Sequence, residues 1–564
     1  MKISFLLSFL FLAAQFGLSQ PDLTSAWAFS IGSSSLLGGE GTGGMAMDDE
    51  DNMYSILVLR DTTDLDPGPG VVNFIPQYNY GSPLVKYDRD GRLVWAHSFI
   101  GGDNAYGEVL EVAYDRMIVS ASFTDSLIYD DGAQSTTLIK QEGDHVACIL
   151  MDLNGQPIDF FLIKGTDAYF QNIITLPDQR ILVAGAFKGI LSFESNPETL
   201  ISAGNYDGFI VMLNPDFSVS WAQQIGGSQY DDIEDIKVKG NRIVFSAAHE
   251  DTLHIQTVNG LVTLDFEGDE DGAFGTLDLN GNFLNVFTVG GTGSDIVRGI
   301  EIDGDGNLYT GGYFEGSVNF AGGNQPDKVY TSWGTNDAFI AKYAPNGDLL
   351  WIRIYTNNDY GGIYSLHIAR GNEIYADGGF AGRADLNPGV DSLAIEEGYH
   401  TTSFLTKLNT DGEWSWSNWF RSEDNTGIRK FVVSTKSSRI YMNGYFYTSM
   451  NAALLPDTNY IYTHGQSSDA FFAAFEESGV VSSTHETTHV LSSVFPNPTT
   501  GELTIQADEE IKGLEIMSAG ATTLRVFKAG SNTIDVNIST LPAGTYFIKL
   551  QFANREEIRK VIKL

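Results

Sequence analysis

One pattern recurs through residues 24–480, and a repeat restricts a fold more than any single motif. Its clearest mark is an apolar strand that ends in a polar turn. The seven copies are Leu84–Gly91, Ala147–Gly155, Asp207–Pro215, Asp271–Gly281, Asp337–Gly347, Ser403–Gly412 and Asp469–Gly479. An aromatic follows most of them: Trp95, Trp221, Phe287, Trp351 and Trp416, with Trp27 opening the series. The spacing from Trp27 to Trp416 corresponds to about 65 residues per unit. A second apolar strand also recurs, as in Met117–Phe123, Ile181–Phe187, Leu308–Phe314, Ile374–Phe380 and Ile440–Phe446. In it small residues alternate with large apolar ones, as crowded sheets require.

Each unit therefore holds about four strands: A, B, a long loop, C and D. One four-stranded sheet of this size cannot bury both faces. Radial stacking buries them and shields the edges, which predicts an all-β, seven-bladed β-propeller over 24–480. A β-solenoid is the other repeat architecture to weigh, but it favours shorter periods. Unit seven has A, B and C but no D, whereas the chain begins with an orphan D-type strand, Ser25–Gly32. We expect residues 25–32 to close blade seven beside Asp469–Phe475. Unit five, with Gly290–Asp295, Asp303–Asn307 and Asp337–Tyr343, also resembles the bacterial β-propeller repeat of secreted and surface proteins.

The two ends carry an address. Lys2 precedes a nearly apolar run, Ile3–Ala14, and Gly17-Leu-Ser19 has the small residues of a cleavage site. Residues 1–19 thus read as a secretory signal. The run is shorter than the ~20 residues a membrane-spanning helix needs, and we expect no transmembrane segment in the mature chain. Residues 481–493 read as a polar linker. Residues 494–564 hold 8 Lys+Arg and 8 Asp+Glu, so nearly all of the formal charge of −39 lies upstream. Pro496 and Pro498 fix an extended entry, Gly501 turns the chain into a strand, and a small immunoglobulin-like β-sandwich should follow. Phe495-Pro-Asn-Pro498, Gly501, Leu541-Pro-Ala-Gly-Thr-Tyr546 and the basic-apolar terminus Lys560–Leu564 closely resemble the type A C-terminal sorting domain of the bacterial type IX secretion system. By that resemblance Pro496, Asn497, Pro498, Gly501, Gly544, Lys560 and Lys563 form the sorting signal. The resemblance implies a Bacteroidota-type cargo. It would reach the periplasm, meet the type IX translocon and its sorting-domain peptidase, and end secreted or on the outer-membrane surface.

Composition excludes several classes. A charge of −39 opposes binding to nucleic-acid phosphates or anionic membranes. A single cysteine, Cys148, excludes an internal disulfide and a cysteine-rich metal site. It sits in an apolar strand, where burial makes a thiol inert. Neither G-x-S-x-G nor H-E-x-x-H occurs, and Gly39–Gly44, though it fits G-x-G-x-x-G, lacks a βαβ context.

Acids recur before strand A: Asp103, Asp167, Asp231 with Asp232, Asp295, Asp359 and Asp424, with Glu40 the loosest match. Grouped at one mouth of a propeller they would suit Ca²⁺, which prefers several oxygen ligands. Asp also caps turns locally, and a repeated turn repeats its Asp without any metal. Asp48–Asn52 and Asp303–Asn307 read as A–B turns, because the EF-hand spacing fails after Asn307. Trp333 lies outside the repeated D-strand region and is a candidate platform for a sugar or peptide. The expected function is a binding or adhesion module for an extracellular glycan or protein. The alternatives are a propeller enzyme acting on polysaccharide through an Asp or Glu pair, and a structural surface-layer component.

Overall fold

In the computed structural model we describe residues 23–563, except 34–38, 77–80, 102–105, 141–144, 194–195, 323–324, 370, 390–391, 399, 453–458, 466, 478–491, 496–498, 519–522, 543 and 553–555. The secretory signal, most of the linker, Asp103, Pro496, Asn497 and Pro498 lie outside the described residues. The chain divides into residues 1–482 and 483–564. No helix occurs among the described residues.

The first part is a succession of antiparallel A-B-C-D sheets. Unit four, for example, orders Asp231–Lys239, Arg242–His249, Asp271–Asp278 and Phe283–Gly291. Units five and six repeat that order. Units two and three run together, because Pro157–Thr175 serves as strand D of one and strand A of the next. Register shifts at Gly165/Asp167 and Phe170/Asn172 turn this strand between its two sheets. In unit seven the order is Thr426–Val433, Arg439–Phe446, Asp469–Glu477 and then Leu23–Ile31. The amino-terminal strand pairs antiparallel from Leu23↔Glu477 to Ile31↔Ala470, so chain start and repeat end share one sheet.

The apolar core lies between units. Phe99 of unit one packs with Val119 of unit two, and Ile210 of unit three with Phe245 of unit four. Phe274 of unit four meets Tyr343 of unit five, and Ile340 of unit five meets Phe404 of unit six. Units two and three share Cys148 and Phe209, and units six and seven share Trp416 and Phe471. The last junction joins Phe472 of unit seven to Tyr87 of unit one. Every unit thus buries apolar faces against two neighbours, including the last against the first.

The repeated D-strand aromatic explains the spacing seen in the sequence. It lies over the C–D turn of the next unit, where a glycine adopts positive φ. Trp27 covers Gly91 and its indole Nε1 donates to Arg89 O at 3.0 Å. Trp221 covers Gly281, donating to Leu279 O at 3.0 Å, and Trp351 covers Gly412, donating to Thr410 O at 3.1 Å. Trp416 instead donates to the buried Glu477 carboxylate at 3.1 Å. The junction between units two and three departs from the rule. Phe217, at φ 62°, takes the turn position, and its ring meets Phe161 at 5.0 Å.

The expected long B–C loops are short hairpins. In unit two, Ser126–Asp130 pairs with strand D of unit one, and in unit five Ser317–Asn319 pairs with strand D of unit four. Units six and seven make single bridges of the same kind, Asn357↔Ala384 and Ser422↔Met450. The hairpins thereby cover backbone that would otherwise be an open sheet edge.

The described residues of 492–563 form one hydrogen-bonded sheet rather than two separate ones. Its long strands Glu502–Ser518 and Thr523–Asn537 run through both halves and are creased by register shifts between Gln506 and Gly513. Leu503, Ile505, Leu514, Ile548 and Leu550 supply its core. Gly501, at φ 143°, approaches Ser539 so closely that a Cβ would lie 2.7 Å from its Cα. Gly544 starts a strand and pairs with Lys563, which also bridges Thr499; Lys560 pairs with Phe547.

Candidate functional site

Three of the acids before strand A, Asp231, Asp295 and Asp424, accept backbone N–H groups. Asp231 Oδ2 accepts Gly227 N–H at 2.7 Å and Asp295 Oδ1 accepts Glu315 N–H at 2.9 Å. Both are fully buried, and burial pushes each carboxyl up to about 7. Asp424 Oδ1 accepts Asn425 N–H at 2.7 Å, and the Asp359 carbonyl accepts Thr335 N–H at 2.8 Å. Asp167 is exposed and sits opposite Lys188. Among the described residues, no three of His, Cys, Asp and Glu are placed to hold a metal ion.

A second buried acid opens strand C. Asp207, Asp271, Asp337 and Asp469 accept backbone N–H groups of Ala203, Glu267, Trp333 and His464 at 3.1, 2.9, 2.9 and 2.9 Å. These bonds fix the end of each B–C hairpin. They also hold the Trp333 backbone while leaving that residue 62% exposed.

The clearest exposed aromatic pair was not singled out in the sequence. Tyr460–Tyr462 forms one arm of the unit-seven hairpin, paired with Ser449–Asn451. Alternation puts Ile461 on the core side, packed near Met450, and both tyrosines on the other face. Tyr460 is 44% and Tyr462 64% exposed, with ring centroids 6.4 Å apart and planes at 32°. Tyr462 borders two clefts of about 340 and 350 Å³. Tyr460, Arg421, Glu397, Glu423 and two serines line the first. Its guanidinium is oriented by Trp419, whose ring lies 5.9 Å away, and by Glu397 at 3.3 Å. Asp64, Asp66 and His464 line the second along with Phe29 and Ile31. Asp64 Oδ1 accepts Asp66 and Val72 N–H groups. A 2.6 Å contact with Asp469 holds the His464 imidazole above its usual pKa.

A second polar cluster forms where neighbouring A strands pack together. Asp232 and Glu234 both lie on Asp231–Lys239, where the register shifts between Ile233 and Asp235, and their carboxylates act on one another. Tyr169 and Tyr230 hydroxyls donate to Asp232 Oδ2 at 2.8 and 3.3 Å. Arg298 of unit five lies 3.8 Å from Glu234 and 5.9 Å from the Tyr313 ring centre. Burial raises the Glu234 carboxyl to about 8 despite this guanidinium. Tyr364 donates to Tyr360 at 3.2 Å nearby in chain order. These residues come from separate units, and only Asp232 among them stood out in the sequence, as one of the acids before strand A.

Residues 493–564 match the family model described as a secretion system C-terminal sorting domain. No curated protein matches the chain. A solved structure from Dyadobacter fermentans, described as a protein of unknown function, is 9% identical; the match covers 81% of this chain and 100% of that one, with a TM-score of 0.35. PorZ of Porphyromonas gingivalis, described as an essential bacterial surface component of the type IX secretion system, is also 9% identical; that match covers 95% of this chain and 100% of that one, with a TM-score of 0.15. No helix among the described residues is long and apolar enough to cross a membrane. The sorting-domain match marks the chain as type IX secretion cargo, exported to the cell surface or beyond it.

Proposed function

We propose that this cargo is a glycan-binding module built on a seven-bladed β-propeller over residues 24–480, led by a signal at 1–19 and released to the translocon through residues 494–564. The cycle of inter-unit cores, with unit seven packed on unit one, supports the propeller reading. The sorting-domain peptidase and the translocon are its export partners in this reading. The observation that carries the ligand class is Tyr462, exposed between two clefts and paired with Tyr460 on one strand face. Aromatic faces supply apolar contact to sugar C–H surfaces, and carboxylates, guanidinium and hydroxyls supply directional hydrogen bonds; pockets combine these for orientation. Trp333 is a further exposed platform.

The test is a glycan array probed with the full mature chain, followed by titration of any bound glycan. Tyr462→Ala should reduce affinity by roughly tenfold or more, as expected for losing an aromatic anchor. Retained affinity in both Tyr462→Ala and Tyr460→Ala, with an unchanged melting temperature, would remove the reading.

A further inference from the structure

Tyr169, Tyr206 and Tyr230 form a continuous aromatic group. The Tyr169 and Tyr206 ring centroids are 5.8 Å apart, those of Tyr206 and Tyr230 5.5 Å, with planes tilted by 50° and 52°. The Tyr169 and Tyr230 hydroxyls contact each other, and both converge on Asp232 Oδ2. The other carboxylate oxygen, Asp232 Oδ1, is buried and has no hydrogen-bond partner among the described residues, though the residue is only 5% exposed. A buried carboxylate oxygen without a donor is costly. Local charge relieves it only in part. Glu234 and Glu270 act on the same neighbourhood, and one guanidinium, Arg298, stands against these three carboxylates.

We propose that the Tyr169–Tyr206–Tyr230 group and Asp232 form a site for a primary ammonium carried by a small ligand, most consistently an amino sugar. An ammonium offers what Asp232 Oδ1 lacks, an N–H donor with a positive charge, and tyrosine faces attract cations through their ring quadrupoles. The chain already uses this attraction beside the site: Lys188 Nζ lies 5.8 Å from the Tyr206 ring centre. A quaternary ammonium would satisfy the rings but not Asp232 Oδ1, so the primary amine is favoured. The choice of a sugar rests on the glycan-binding reading; the ammonium requirement stands on the cluster itself.

The experiment titrates the full mature chain with glucosamine, N-acetylglucosamine and Nα-acetyl-lysine methylamide at about pH 7. Glucosamine should bind at least about tenfold more tightly than its uncharged N-acetyl form, and the preference should vanish in Asp232→Asn. Val94→Ala, an exposed position in unit one outside the cluster, should leave the preference unchanged. Equal affinity for the two sugars in the wild-type chain overturns the proposal and needs no variant. If the lysine derivative binds more tightly than glucosamine, the amino-sugar assignment is overturned. Should Asp232→Asn fail to fold, Tyr206→Leu replaces it, and an undiminished preference there is equally fatal.

Discussion

Gly91 tests whether the seam between unit seven and unit one is packed like every other junction. Its φ is 79°, and a Cβ there would lie 2.9 Å from the Trp27 ring. Gly132 is the matched control: φ is 82°, with no atom within 4 Å of its Cβ position. Alanine in the left-handed region costs roughly 1–2 kcal/mol at either site. Only at Gly91 must the ring also move, and overpacking adds about 1–3 kcal/mol. Gly91→Ala should therefore destabilise by about 2–5 kcal/mol and Gly132→Ala by about 1–2 kcal/mol. Gly281→Ala and Gly412→Ala, under Trp221 and Trp351, should behave like Gly91→Ala because their Cβ positions meet rings at 2.6 and 2.8 Å. Guanidinium unfolding midpoints, with unchanged slope, read the differences. If Gly91→Ala grouped with Gly132→Ala while the other two stayed costly, the amino-terminal strand would not be packed as described. If all four variants coincided, the aromatic-on-turn argument itself would be refuted.

Three further outcomes follow from the same structure. Burial raises Asp231, Asp271 and Asp295 to about 7, so between roughly pH 4 and 7 the folded chain holds more protons than the unfolded chain. Their contribution is full below the unfolded carboxylate range and is lost as pH rises through 7; the melting temperature should fall from pH 5 to pH 8, and a rise would contradict this. Glu477 accepts from Lys407 at 2.8 Å, Tyr375 at 2.8 Å and Trp416 at 3.1 Å, joining units six and seven. Glu477→Ala would leave the Lys407 ammonium to Glu373 at 3.4 Å and remove the acceptor of the Tyr375 and Trp416 bonds; it should cost about 1–3 kcal/mol by equilibrium unfolding, with Glu477→Gln costing clearly less. Deleting residues 493–564 should leave the protein inside the outer membrane, as judged by cell fractionation, whereas surface display without them would contradict the role of the sorting domain.

What was legible in the sequence was what each unit encodes locally and repeats. The A–B and C–D turns carry their own chemistry: Asp303 Oδ1 accepts Asp305 and Asn307 N–H groups at 2.9 Å, and Asp48 does the same work in unit one. The missing D strand of unit seven could be inferred because a pattern counted seven times exposes its own gap. The hairpins were read as loops because their arms are often three residues, as in Val329–Thr331, too short for alternation to register. Their ends were nevertheless marked in every repeat whose strand C begins with Asp, since that acid binds the hairpin backbone.

Asp232 and the junction of units two and three show where such reading stops, and for one physical reason. A contact between units is specified by two sequence positions about one repeat apart, and either can change if the other compensates. Asp159 stands where the repeat would place its aromatic, while Phe217 occupies the turn normally left to glycine. Neither residue makes sense alone; together Phe161 and Phe217 restore an aromatic contact at 5.0 Å from the opposite direction. The Tyr169–Asp232 hydrogen bond spans 63 positions in the same way. Sequence periodicity therefore predicts the units well and the surfaces between units poorly. The ammonium site proposed for this chain lies at such a surface, where unit three supplies Tyr169 and Tyr206 and unit four supplies Tyr230 and Asp232.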